Sequence, residues 1–312
     1  MVSIKRYAET DKEAWNRYVA KARNATFLFD RNYMDYHKER FDDHSLLFYR
    51  NGKLYALLPA HQQETTFYSH RGLTYGGLIV DNAVTAADTL ELFEALNRYL
   101  KAAGITKVVY RPIPWIYHTL PAEEDLYAIF WKCNARLSLR NIGTTIVMRQ
   151  NPAWRKDHRR RLKQAEANGV TVVRDDSLDR FWPILESNLQ HRYHARPVHS
   201  LQEIKLLKSR FPRNIIQYNA YRNEKIIGGI TFYITSQVIH GQYSATDDDG
   251  KRYGAMEMIY NRVMYHDYPD MPYLDFGSST EQQGAWLNTG LIAHKEGYGG
   301  RAVCYDTYEW EP

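Results

Sequence analysis

Cysteine is scarce. Cys133 and Cys304 are the only two in 312 residues. Two thiols make no disulfide framework, and their separation fits no metal site, so a stapled miniprotein and a cysteine-bound metal are excluded. They are read as reduced thiols of a cytoplasmic protein, with a single exported disulfide as the alternative. Long apolar runs are missing too: none approaches the roughly 20 residues that cross a bilayer, and no membrane span is expected. The start of the chain turns polar at Lys5 and Arg6 and lacks the apolar core of a signal peptide. There is no low-complexity tract or Gly/Ser linker.

The remaining composition is globular, with 44% hydrophobic and 25% charged residues. Length allows two domains or one large one. Tyrosine dominates the aromatics, 25 against 11 Phe and 7 Trp. Its ring buries while its hydroxyl hydrogen-bonds, which suits polar clefts, although compositional drift explains it as well. The net charge of +5 is unevenly spread. Between Trp154 and Asn168 stand Arg155, Lys156, Arg159, Arg160, Arg161 and Lys163, opposed only by Asp157 and Glu166. The segment reads as a helix stopped at Asn168-Gly169. Such a cluster suits phosphate groups, and it equally suits a solvated linking helix.

One pattern occurs twice. Ser45 to Ala60 is two apolar runs around Asn51-Gly52, a hairpin signal. Ile215 to Ile234 repeats it around Asn223-Glu224-Lys225, and Lys53 and Lys225 stand 172 residues apart. In the first half a strand over Gly72–Val80, a helix over Thr85–Ala103 and a strand over Lys107–Arg111 follow. In the second half come a strand over Val238–Ala245, a loop over Thr246–Arg252, a helix over Gly254–His266 and a strand over Tyr273–Phe276. Apolar periodicity puts a helix before each hairpin, Asp11–Ala22 and Leu178–Arg192. The expected class is α/β with a mixed (α+β), partly antiparallel sheet, duplicated as domains 1–150 and 151–312.

Three further segments, Phe27–Phe41, His70–Gly77 and Asn288–Gly300, complete a resemblance. The order helix, hairpin, strand, helix, strand, helix resembles the GNAT acyltransferase fold, and two such units resemble its Fem-type (FemABX) branch. The resemblance implies an acyltransferase that passes an acyl group to a small-molecule primary amine by direct attack, with acyl-coenzyme A or a related thioester as donor. An aminoacyl-tRNA-dependent ligase acting on a cell-wall precursor and a non-catalytic ligand-binding scaffold are the alternatives. No metal is implied. Oligomeric state is left open.

Site residues follow from the same resemblance. Ser244 and Ala245 end the strand expected to splay from Tyr273–Gly277. Lys251, Arg252, Tyr253, Gly254 and Ala255 fall in the expected phosphate loop, although Met256 stands where the coenzyme A pattern has a small residue and Asp247, Asp248 and Asp249 precede it. Asn288 opens the closing helix and joins this donor-binding set. Lys295 matches the Fem-type lysine, and His294 stands in place of its phenylalanine. Together with Asp275, a carboxylate at a strand end, and Tyr243, they are the catalytic candidates. His70, Arg71, Tyr75, His194, Arg196 and Glu281 are the substrate-binding candidates. The spacing of His191, His194 and His199 fits a metal poorly.

Overall fold

The computed structural model describes residues 2–312. Contacts divide the chain into two compact units. One takes residues up to Asn141 together with Cys304–Pro312, and the other takes Ile142–Val303. The division expected at 150 thus lies earlier, and the last nine residues return to the first unit. The tail strand Arg301–Trp310 explains the return: it pairs antiparallel with Lys107–Tyr110, in the register Tyr308↔Tyr110 and Trp310↔Val108. Among the described residues no helix is long and apolar enough to cross a membrane.

In the first unit the hairpin forms where expected, Leu46–Arg50 against Lys53–Leu58. Asn51 and Gly52 both hold positive φ (50° and 74°), the twist that a two-residue turn between right-handed strands requires. The helix Ala86–Ala102 starts at a capping box: Thr85 and Asp88 satisfy each other's backbone N–H. The strand expected over Gly72–Val80 shrinks to Ile79–Val80. The glycines are the reason. Gly77 sits at φ 92°, and a Cβ on Gly76 would lie 2.1 Å from the Ser69 carbonyl.

The second unit is a sheet ordered Thr171–Arg174, Ile215–Arg222, Lys225–Ile234, Val238–Thr246, Tyr273–Ser278, then the stretch of strand through Thr145–Val147. All pairs are antiparallel except Val238–Thr246 with Tyr273–Ser278. Its central strands are largely buried, because both faces are covered, and they carry buried polar side chains at Gln217, Asn219, Thr231 and Asp275. Phe181 and Trp182 of the helix Leu178–Tyr193 are buried, as are Ile259 and Tyr260 of the helix Ala255–Arg262. The basic segment is helical over Lys156–Ala167, burying His158 and Ala165 and leaving Lys156, Arg159, Arg160 and Lys163 exposed. The loop expected over Thr246–Arg252 is instead largely a short helix, Asp248–Tyr253.

Candidate active site

The two parallel strands of the second unit part company after one short stretch. Their register runs Val238↔Tyr273, Ile239↔Leu274, His240↔Asp275 and stops. Past it, Gly241–Thr246 stays with the hairpin, with Gln242 bulged between the pairs Thr231↔Tyr243 and Phe232↔Gly241. The other strand breaks register after Asp275 and rejoins its far neighbour at Ser278↔Gly143. Gly277, at φ 68°, makes that bend. The edge of Gly241–Ala245 that faces the gap has no ladder partner among the described residues, so its main-chain groups are open to a ligand carbonyl, whereas the Thr246 carbonyl accepts from Asn188 Nδ2 at 2.8 Å.

Polar groups converge on this fork. Asp275 is fully buried; one oxygen accepts from Thr145 Oγ1 at 2.9 Å and the other meets His240 Nδ1 at 2.7 Å. Lys295 reaches in from the closing helix Thr289–Glu296 and donates to the carbonyls of Gly277 (3.0 Å) and Ser278 (2.6 Å). An ammonium has three N–H donors, so one remains. Burial pulls the lysine down to about 8, against the opposing pull of the Asp275 charge. Asn288 caps that helix: its Oδ1 accepts from Leu291 N and its Nδ2 donates to Glu281 Oε1 at 2.7 Å.

Beside the fork lies a cleft of about 410 Å³. Ser244, Ala245 and Thr246 form one wall and Gly290, Leu291 and His294 another, with Lys251, Asn188, Arg161 and Glu257 between them. Glu257 is the buried anion here. His158 Nδ1 and Arg161 Nε each approach its Oε1 at 3.0 Å. Burial pushes this carboxyl up, but the His158 hydrogen bond and the Arg161 charge outweigh it and hold it below the usual range. His294 is driven down to about 4, first by burial and then by His158, whose ring centre is 4.9 Å away. It is therefore a neutral imidazole at pH 7.

The expected phosphate loop has a different construction. Asp247 caps the short helix Asp248–Tyr253: its Oδ1 accepts from Gly250 N at 2.8 Å, and its carbonyl from Lys251 N at 3.1 Å. A carboxylate thus occupies the place where a pyrophosphate would meet free N–H groups. The basic side chains here already face acids: Lys251 binds Asp248, and Lys225 binds Asp247 and Asp249. Lys251 lines the cleft; Arg252 and Tyr253 do not, and their side chains lie against each other. Ala255 is buried at the start of the next helix. Gly254, at φ 77°, presses on the basic helix, where a Cβ would stand 2.9 Å from the Arg161 carbonyl. Gly254→Val is expected to destabilise the chain by at least about 2 kcal/mol, read as a lowered urea midpoint, because a branched side chain is strained at positive φ and has no room.

The other expected residues are dispersed. The Tyr243 hydroxyl is tied to His199, and burial pushes it up to about 12. His194 ends its helix at φ 49°, exposed, as is Arg196. His70 and Tyr75 are buried in the first unit: burial takes His70 down to about 3, and Tyr75 bonds Thr26. Arg71 lies over the Tyr68 ring. Among the described residues no group of three or more His, Cys, Asp or Glu is placed to hold a metal. His240, Arg161, Asn188 and Glu257 escaped sequence reasoning. His240 gains its meaning only from a partner 35 residues on. Arg161 was visible only as one of many cations.

Residues 153–282 match the family model described as an acetyltransferase (GNAT) domain. No curated protein matches the chain. Among solved structures, FemX superimposes with a TM-score of 0.68 at 9% identity, covering 99% of this chain and 97% of that one. The L-PGS of Bacillus licheniformis gives 0.60 at 12% identity, covering 98% and 92%. A tandem GNAT protein from the clavulanic acid biosynthesis pathway gives 0.54 at 11%, covering 100% and 98%. The chain has a Fem-like tandem GNAT fold, as the resemblance implied, in a mixed α/β class.

Proposed function

We propose that the second unit transfers an aminoacyl group from an aminoacyl-tRNA to a primary amine. The parted strands ending at His240 and Asp275, with Lys295 fixed at their mouth, carry the transfer reading. An ester carbonyl lying along the open edge of Gly241–Ala245 accepts a main-chain hydrogen bond. The amine attacks it, and the spare N–H of Lys295 meets the developing oxyanion. Lys295 acts as a placed cation.

The donor reading rests on charge. The Asp247 cap and its neighbouring acids oppose a pyrophosphate, which argues against coenzyme A at that loop. The exposed cations of the Lys156–Ala167 helix suit a polyphosphate chain, and Arg161 of the same helix lines the cleft. The fold match to FemX supports the Fem-type resemblance, which implies an aminoacyl-tRNA donor. The GNAT domain match keeps acyl-coenzyme A as the second reading.

Two measurements decide between them. Filter binding of bulk tRNA is expected to weaken roughly 100-fold between about 50 and about 200 mM salt, as four or five phosphate contacts require. Salt-independent or absent binding contradicts the tRNA reading. In parallel, transfer to a lysyl peptide is followed from a labelled aminoacyl-tRNA pool and from labelled acetyl-coenzyme A. Label leaving only the coenzyme A establishes the second reading.

A further inference from the structure

We infer that His240, oriented by Asp275, is the base that takes the acceptor's ammonium proton. The inference rests on the transfer reading above. Asp275 is the carboxylate that the sequence offers as a base, yet it is fully buried with both oxygens engaged, so it does not reach a substrate itself. Its reach is extended by His240, which stands opposite it at the last paired rung before the strands separate. Nδ1 gives its hydrogen to the carboxylate, which fixes the tautomer and leaves the lone pair on Nε2. Nε2 is not among the buried polar atoms and forms no hydrogen bond among the described residues. The imidazole is 13% exposed, so it is firmly held yet not sealed from solvent. Gly277 makes room for it: a Cβ there would stand 3.2 Å from His240 Cε1. Thr145 holds the remaining carboxylate oxygen and so locks the rotamer of Asp275.

The other basic groups of the site do not serve. His294 lines the cleft, but burial and the neighbouring His158 hold it down to about 4, too weak a base for an ammonium proton. Lys295 spends two of its hydrogens on carbonyls. In the step, the acceptor R–NH3⁺ gives one proton to His240 Nε2. The freed nitrogen lone pair forms the N–C bond at the acyl carbon, and the ester C–O bond breaks. The second nitrogen proton leaves with the departing oxygen, which becomes a hydroxyl, and the imidazolium returns its proton to water.

The test uses the full chain, a lysyl peptide as acceptor, and both the aminoacyl-tRNA pool and acetyl-coenzyme A as donors. His240→Ala is expected to lose about 100-fold in kcat with KM for the peptide within about threefold, and added imidazole is expected to restore part of the rate. Asp275→Asn is expected to lose kcat without rescue, because the imidazole is present but wrongly turned; an imidazole ¹⁵N spectrum should show the loss of the Nδ1–H tautomer. His240→Gln keeps a donor towards Asp275 and serves as the folding control. If it melts as the wild type does and retains the wild-type kcat, the base assignment is overturned while transfer stands. If the wild type makes no amide from either donor, the transfer reading itself is overturned, and the base with it.

Discussion

Lys295→Met is expected to cost 10²–10³ in transfer rate and to raise the melting temperature at pH 7. The rate loss is that of removing one preorganised donor from a developing oxyanion. The stability gain follows from proton linkage. Folding lowers the ammonium from 10.5 to about 8, because burial disfavours the charged form. Below pH 8 both folded and unfolded chains carry the proton, and the cost of burying it is present in full. Between pH 8 and 10.5 the unfolded chain binds more protons, so stability rises with pH and the cost fades. Methionine fills similar volume without the charge. The variant should therefore be more stable than the wild type at pH 7, by up to about 3 kcal/mol less the two lost hydrogen bonds, and the gap should close towards pH 10.5. Urea titrations at pH 7 and pH 10 measure it. A group that lowers stability and raises rate is kept for its chemistry. Equal activity in Lys295→Met would remove the cation from the reaction; lower stability at pH 7 would mean that its role is structural.

Glu257→Leu is expected to destabilise the second unit by about 3 kcal/mol. The carboxylate is 1% exposed and faces both His158, also buried, and Arg161. Removing one partner of a buried ionic group leaves the others uncompensated. Arg161 is 41% exposed and can turn to water, so most of the cost falls on His158 Nδ1, which has no such escape. The wild-type carboxyl sits below its ordinary 4.5. Its contribution is therefore present above that pH and is lost as the pH falls through the lowered folded value. Urea midpoints of wild type and variant should converge in acid. A midpoint change below about 0.5 kcal/mol at pH 7 would show that the trio is slack. The same variant should weaken donor binding, since it removes one of the two groups, Glu257 and the Lys251 carbonyl, that hold Arg161 in the cleft wall.

What the sequence disclosed was local. Asn51-Gly52 announced its turn because only residues tolerant of positive φ fit between twisted strands, and the second hairpin repeated the pattern with Glu224 at φ 61°. The helix over Thr85–Ala103 was legible in outline, while the capping box that Asp88 closes with Thr85 shows only in the structure. The fork was legible only as a place in a family order, since main-chain groups leave no side-chain mark. The phosphate loop misled because glycines and cations suggest an anion site, whereas Asp247 uses those N–H groups itself. Gly254 illustrates the same point: the glycine was noticed, but its reason is the Arg161 carbonyl behind it, contributed by a helix some 90 residues away in sequence. His240 became a candidate only through the parallel register with Asp275, a pairing that periodicity does not specify.

Hydrogen exchange in the presence of a minihelix ending in a 3′-aminoacyl amide, an unreactive mimic of the donor, tests the central claim most directly. Protection is expected in Gly241–Ala245, where the free strand edge receives the carbonyl, and in the closing helix over Thr289–Lys295. Protection confined to residues 2–141, or none in the second unit at saturating mimic, would contradict it.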